Sequence, residues 1–146
     1  MDTSSRRRAL GSAALVAAAL AASAPVARAQ SDGKMKVVFQ VSDADPAKWN
    51  LTLNNARNVV QDLGEDKVEI EIVAYGPGIA MLKRESTLAP RIAATLKSGA
   101  KVVACENTMH GQKLTYDDML PNIGYVPAGV VELMKKQYAG WAYIRP

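Results

Sequence analysis

Val37-Val38-Phe39-Gln40-Val41, then Asp43-Ala44-Asp45-Pro46, then Val68-Glu69-Ile70-Glu71-Ile72-Val73-Ala74: the reading of this stretch decides the fold. The first run is short and almost wholly apolar, the pattern of a strand buried on both faces. Asp45 is placed as an N-cap, with Pro46 at the first helical position. Trp49, Leu53, Ala56, Val60 and Leu63 follow at spacings of four, three, four and three, which is one face of an amphipathic helix. Gly64 is placed to end it. Val68 to Ala74 then reads as a second strand. Its first half alternates apolar and acidic, which predicts a position near a sheet edge.

The same alternation continues toward the C-terminus. Tyr75-Gly76-Pro77-Gly78 breaks the second strand, and Ile79 to Lys83 reads as a short helical turn. A helix is expected over Leu88 to Lys97, with Thr87 as cap and Gly99 as terminator. Lys101-Val102-Val103-Ala104-Cys105 is a third strand. Thr115-Tyr116-Asp117-Asp118 has the form of a capping box opening a short helix that Pro121 ends. Ile123 to Val126 is a fourth strand. Pro127 opens a helix with Val130, Leu133, Met134 and Gln137 on one face, and Trp141 to Ile144 is a last strand. Strands alternating with helices through short connections predict an α/β fold of three layers, α/β/α, around a central, mainly parallel five-stranded sheet.

Working toward the N-terminus, the character of the chain changes. Arg6, Arg7 and Arg8 precede a stretch from Ala9 to Val26 that is almost wholly Ala, Leu, Val, Gly and Ser, and Ala27-Arg28-Ala29 gives the small-x-small cleavage pattern. Residues 1–29 are therefore expected to be a signal peptide, 30–34 a disordered polar leader and 35–146 the folded domain. Gly11, Ser12, Ser23 and Pro25 interrupt the apolar stretch, so no stable membrane span is expected. Ser5-Arg6-Arg7, together with Arg28 near the cleavage site, favours twin-arginine export and a periplasmic location.

Charge follows from the same division. The chain has a formal net charge of +4. The segment to Ala29 carries four arginines against Asp2, so three of those charges leave with it. The domain lacks a Lys/Arg stripe with interleaved aromatics, and a nucleic-acid partner is discarded. Removing 29 residues from 146 leaves about 117, enough for one domain with a core of its own. Cys105 is the only cysteine, so no intramolecular disulfide can form in an oxidising compartment. Its thiol is either buried and inert or exposed and used.

Ligands of an open α/β sheet bind at the carboxyl ends of the strands. Three loops emerge there: Ser42 to Asp45, Tyr75 to Gly78, and Cys105 to His110. None carries a dinucleotide or Walker pattern, so no cofactor is expected. Cys105 ends a strand, where the amides of a following helical turn would point at its sulfur and favour the thiolate. His110, five residues on, could add charge or relay a proton, whereas the neighbouring Glu106 raises a thiol pKa. Met81, Met109, Cys105 and His110 could together hold copper(I); as a small hydrophobe, Cys105 would simply fill the core. Asn54, Asn55 and Asn58 read as a solvated helix face. Paired acids, a serine elbow and zinc spacing are missing from the sequence.

Several short motifs stand in order: Tyr75-Gly76-Pro77-Gly78-Ile79; Gly99 through Cys105 to Met109; Val126-Pro127-Ala128-Gly129-Val130; Lys136-Gln137; and Gly140 to Pro146. From about Lys36 to its end the chain resembles the DsrE/DsrF-like group, and within it an exported branch with a Cys-x-Asn-Thr-Met motif. The resemblance implies the three-layer fold, assembly into homotrimers or hexamers, and a cysteine that carries a persulfide and passes sulfur to a partner protein. That cysteine is Cys105 here, with Asn107 and Thr108 as anion-binding neighbours, Gly76 and Gly78 in the adjacent binding loop, and His110 assisting. Two other functions stay open: a non-catalytic oligomeric binding module with a buried cysteine, and a soft-metal binder.

Overall fold

The structure is a computed structural model and describes residues 33–146; the segments expected to be a signal peptide (1–29) and, for the most part, a polar leader (30–34) lie outside the described residues. Five strands, β1 (Met35–Val41), β2 (Val68–Ala74), β3 (Lys101–Cys105), β4 (Gly124–Val126) and β5 (Ala142–Ile144), form one sheet in the order β4-β3-β2-β1-β5. Every pairing is parallel. Parallel neighbours need crossovers, and helices α1 (Pro46–Leu63), α2 (Ala89–Lys97), α3 (Glu106–Gly111) and α4 (Gly129–Tyr138) supply them. The α/β expectation is met, and the sheet is wholly parallel.

Local signals set the elements as expected in α1. The Ala47 N–H donates to Asp45 Oδ1 at 2.8 Å, Pro46 opens the helix, and Gly64 at φ +93° closes it with its N–H on Val60 O at 2.9 Å. Leu53 and Ala56 are buried, with Trp49, Val60 and Leu63 packed at the margin of the core. The asparagines of this helix have a task the sequence did not suggest. Asn50 and Asn54 accept hydrogen bonds from the Arg91 guanidinium, the latter at 2.7 Å, and so tie α1 to α2.

Two cores lie on opposite faces of the sheet. The larger holds Phe39, Ile72, Val102 and Ala104 under α1 and α2, and takes in Met109 of α3. The smaller is Val38, Val73, Val103 and Leu133 under α4. Among the described residues no helix is long and apolar enough to cross a membrane.

Several expectations are corrected. β2 is not near an edge: it is the central strand. Its acidic residues face the α4 side, where Lys36 meets Glu69 at 3.6 Å and Lys136 meets Glu71 at 2.9 Å, so the alternation marks paired charge and not a sheet edge. Helix α2 starts at Ala89, and the Leu88 N–H is held by Ser86 Oγ rather than by Thr87. The capping box at Thr115 and Asp118 is formed but opens only a 3-10 turn, Tyr116–Asp118, because Met119 is drawn into an antiparallel bridge with Lys83. Helix α4 starts at Gly129, since Pro127 and Ala128 are used to cross from the sheet edge. Of its expected apolar face only Leu133 is buried; Val130 and Met134 are exposed.

Candidate functional site

Cys105 is the last residue of β3 and the N-cap of α3, with extended backbone. Val102 and Ala104 face the larger core and Val103 the smaller, so by strand alternation Cys105 points to the α4 side. The chain leaves β3 into α3, whose Met109 enters the larger core, and leaves β4 into α4 on the other face. Departure to opposite faces opens a crevice at the carboxyl edge of the sheet, the place where such folds hold ligands. The Asn107 N–H donates to Pro127 O at 3.1 Å and locks the two helix starts together across it.

The sulfur therefore sits among donors. Unpaired N–H groups gather at each helix start. Burial pushes the Cys105 thiol up. Against that act the Thr108 hydroxyl and the nearby N–H groups of Gly129, Thr108 and Asn107, and together they hold it below the ordinary cysteine value, although the side chain makes no capping hydrogen bond to the first turn of α3. Asn107 acts through its main chain, sharing its N–H with Pro127. Cys105 is only 5% exposed, so the donors surround a nearly enclosed sulfur.

Thr108 is oriented from behind. The Gly76 N–H donates to Thr108 Oγ1 at 2.9 Å, which fills one lone pair and holds the hydroxyl that acts most strongly to lower the thiol pKa. Gln112 Nε2 donates to Gly76 O at 3.3 Å, a second clamp between that turn and α3. Gly76 stands at φ +53°, in the left-handed region. Gly78 allows the turn to press on the end of β1: a Cβ there would lie 2.3 Å from Val41 O. Its N–H donates to Ser42 O at 3.2 Å. Both glycines thus serve the frame of the site and not the sulfur itself.

The remaining candidates are not gathered at the thiol. His110 is exposed near the far end of α3, where it lines a cavity of about 250 Å3 with Glu106, Met109, Leu114, Thr115 and Tyr116. Glu106 Oε1 accepts the Tyr116 hydroxyl at 2.7 Å. Met81 and Met109 are buried in the larger core, on the other face from Cys105, so the four soft ligands do not converge. Among the described residues no three or more His, Cys, Asp or Glu side chains group to hold a metal.

One site residue escaped the sequence reading. Gly129 belongs to a quoted motif, yet its N–H role depends on α4 reaching back to β3, which no local pattern reveals. The hint was a glycine in the first turn of a helix. A Cβ at Gly129 would lie 2.9 Å from Tyr75 Cβ and 3.1 Å from its ring, so only glycine lets α4 come this close.

Comparison with known proteins places this arrangement in context. The model of the DsrE/DsrF-like family matches residues 35–146. A protein of unknown function from Methanobacterium thermoautotrophicum is similar in structure, with 34% identity and a TM-score of 0.74 over 77% of this chain and 100% of its own. A conserved protein of unknown function from Bacteroides thetaiotaomicron (13% identity, TM-score 0.61, 76% of this chain and 94% of its own) shares the fold. So does the ychN protein of E. coli (12% identity, TM-score 0.59, 77% of this chain and 99% of its own). No curated protein matches the chain significantly.

Proposed function

The chain belongs to the DsrE/DsrF-like family, and from that premise we propose that it is an exported carrier of sulfane sulfur, held as a persulfide on Cys105. The observation that carries this reading is the place of Cys105 at a strand-to-helix junction, between the starts of α3 and α4 that the Asn107–Pro127 hydrogen bond ties together, with the thiol held below its ordinary pKa by the Thr108 hydroxyl and the neighbouring N–H groups. A thiolate is the nucleophilic form of cysteine, and a merely space-filling thiol needs no surroundings that favour its anion.

In the loading step the Cys105 thiolate attacks the outer sulfur of a donor persulfide, R–S–SH. A bond forms between Sγ and that sulfur, the donor S–S bond breaks, and R–S⁻ leaves with the electron pair. Cys105 becomes Cys–S–SH with no net change in oxidation across the pair of reactants. Delivery is the same exchange run toward an acceptor thiolate. The near-enclosure of Cys105 favours a slender donor, such as the end of an inorganic polysulfide.

The signal-like residues 1–29 support a periplasmic location, with twin-arginine export. Assembly into a homotrimer or hexamer is part of the reading. Val130, Met134 and Tyr138, spaced by four along α4, are exposed and apolar, as are Tyr143 and Ile144 of β5.

The decisive test is intact mass spectrometry of the native protein after brief exposure to inorganic polysulfide. One reductant-labile sulfur is expected, and none in Cys105→Ser. If the mass does not change and the thiol reacts with alkylating agents only after denaturation, the binding-module reading takes its place.

A further inference from the structure

Helix α4 presents three residues to the sheet at spacings of four and three: Gly129, Leu133 and Lys136. Each has a different task. Gly129 opens the helix beside Cys105, where its N–H is one of the groups that favour the thiolate, and rests on Tyr75. Leu133 is the buried apolar anchor, against Val38, Val73 and Val103. Lys136 reaches the middle of the sheet, where its Nζ lies 2.9 Å from Glu71 Oε2. Glu132 Oε1 stands 3.6 Å from the same nitrogen, and the Trp141 ring centroid 4.1 Å away.

Glu71 is an expensive residue to place there. It sits on the central strand, 3% exposed, and its Oε1 has no hydrogen-bond partner. Two apolar side chains of similar volume would be as stable or more so, so a buried ion pair is weak evidence for stability. What it supplies is direction. Apolar contact is roughly proportional to area and non-directional, and one leucine on a small cluster leaves the C-terminal half of the helix free to turn. An ion pair with a defined acceptor oxygen does not.

We propose that Glu71 and Lys136 are positioning residues for Cys105: their ion pair fixes the rotation and axial placement of α4, and so keeps the Gly129 N–H on the sulfur. The helix is a stiff rod over the two turns between Lys136 and Gly129, and the Asn107–Pro127 hydrogen bond and the Tyr75 contact hold its other end. This inference rests on the reading of Cys105 as a sulfur-bearing thiolate.

A single cysteine makes the test direct. With 13Cβ-labelled cysteine, one resonance reports the Cys105 titration in the wild type, Glu71→Gln, Lys136→Met, Lys136→Arg and, as a control in the opposite core, Ile92→Val. Glu71→Gln and Lys136→Met are expected to raise the thiol pKa by roughly half a unit to one unit, as partial loss of one charge-assisted hydrogen bond implies. Polysulfide loading should slow with them. Lys136→Arg keeps the charge and should restore the wild-type curve, and Ile92→Val should lower stability without moving the titration. Should one of the two pair variants fail to fold, the other carries the comparison. Folded Glu71→Gln or Lys136→Met protein with the wild-type titration would overturn the inference and leave the persulfide reading standing. A wild-type thiol that titrates at the ordinary cysteine value would instead remove that reading, and the inference with it.

Discussion

Thr108 is the residue on which the state of the sulfur turns, because it is fixed by one partner and acts on another. Its oxygen accepts the Gly76 N–H at 2.9 Å, and its hydroxyl is the group that acts most strongly to lower the Cys105 pKa. Thr108→Val keeps the shape and removes the Gly76 bond together with the hydroxyl's effect on the sulfur. We expect the Cys105 pKa to rise by about one unit, and stability to fall by about 1–2 kcal/mol because a part-buried N–H is orphaned. Alkylation rate against pH and urea unfolding measure the two effects separately. His110 stands apart from this network, beside Glu106 and Tyr116. His110→Ala is therefore expected to load polysulfide sulfur like the wild type in the same mass assay; a tenfold slower loading would place the imidazole on the reaction path.

At the scale of the element, the approach of α4 to β3 is governed by Gly129. A methyl there meets Tyr75 at 2.9 Å, so Gly129→Ala must push the helix start outward. The expected result is a folded protein whose thiol pKa is raised and whose loading is slower, and Tyr75→Ala in the same chain should relieve much of the defect by removing the ring. Recovery in the double variant is read from the same titration. The corresponding contact on the other side is Gly78, where a Cβ would lie 2.3 Å from the Val41 carbonyl oxygen. Backbone cannot yield as a side-chain tip can, so Gly78→Ala should cost about 2–3 kcal/mol in stability.

For the whole molecule, the lowered thiol pKa couples ionisation to folding. The native thiol releases its proton at lower pH than the unfolded one, so between the two values the unfolded chain holds more protons and stability rises with pH. The gain is complete above the ordinary thiol pKa and is lost as pH falls through the native value. The stability difference between wild type and Cys105→Ser should accordingly grow across this window; a flat difference would mean the sulfur is not held as an anion. The molecule also leaves Tyr138 89% exposed beside Met134 and Val130. Light scattering is expected to give three or six times the protomer mass, and Met134→Asp should shift it toward one.

The order of strands and helices was legible in the sequence because each depends on near neighbours. Asp45-Pro46 and Gly64 bound α1 through bonds spanning two to four residues, and apolar runs of fixed period mark the strands. Cys105 and Thr108 could be named as candidates for the same reason: both lie at one strand-to-helix junction. What only the tertiary structure decided involves residues far apart in the chain. The central position of β2 was hidden because its acids are neutralised by Lys36 and Lys136, and neither lies near it in sequence. Gly129 comes beside Cys105 and Tyr75, and Lys136 reaches Glu71, only after the β4-to-β5 crossover carries α4 over the sheet. Periodicity reports which side of an element is apolar, and the choice of which element lies against it is made by the chain's topology.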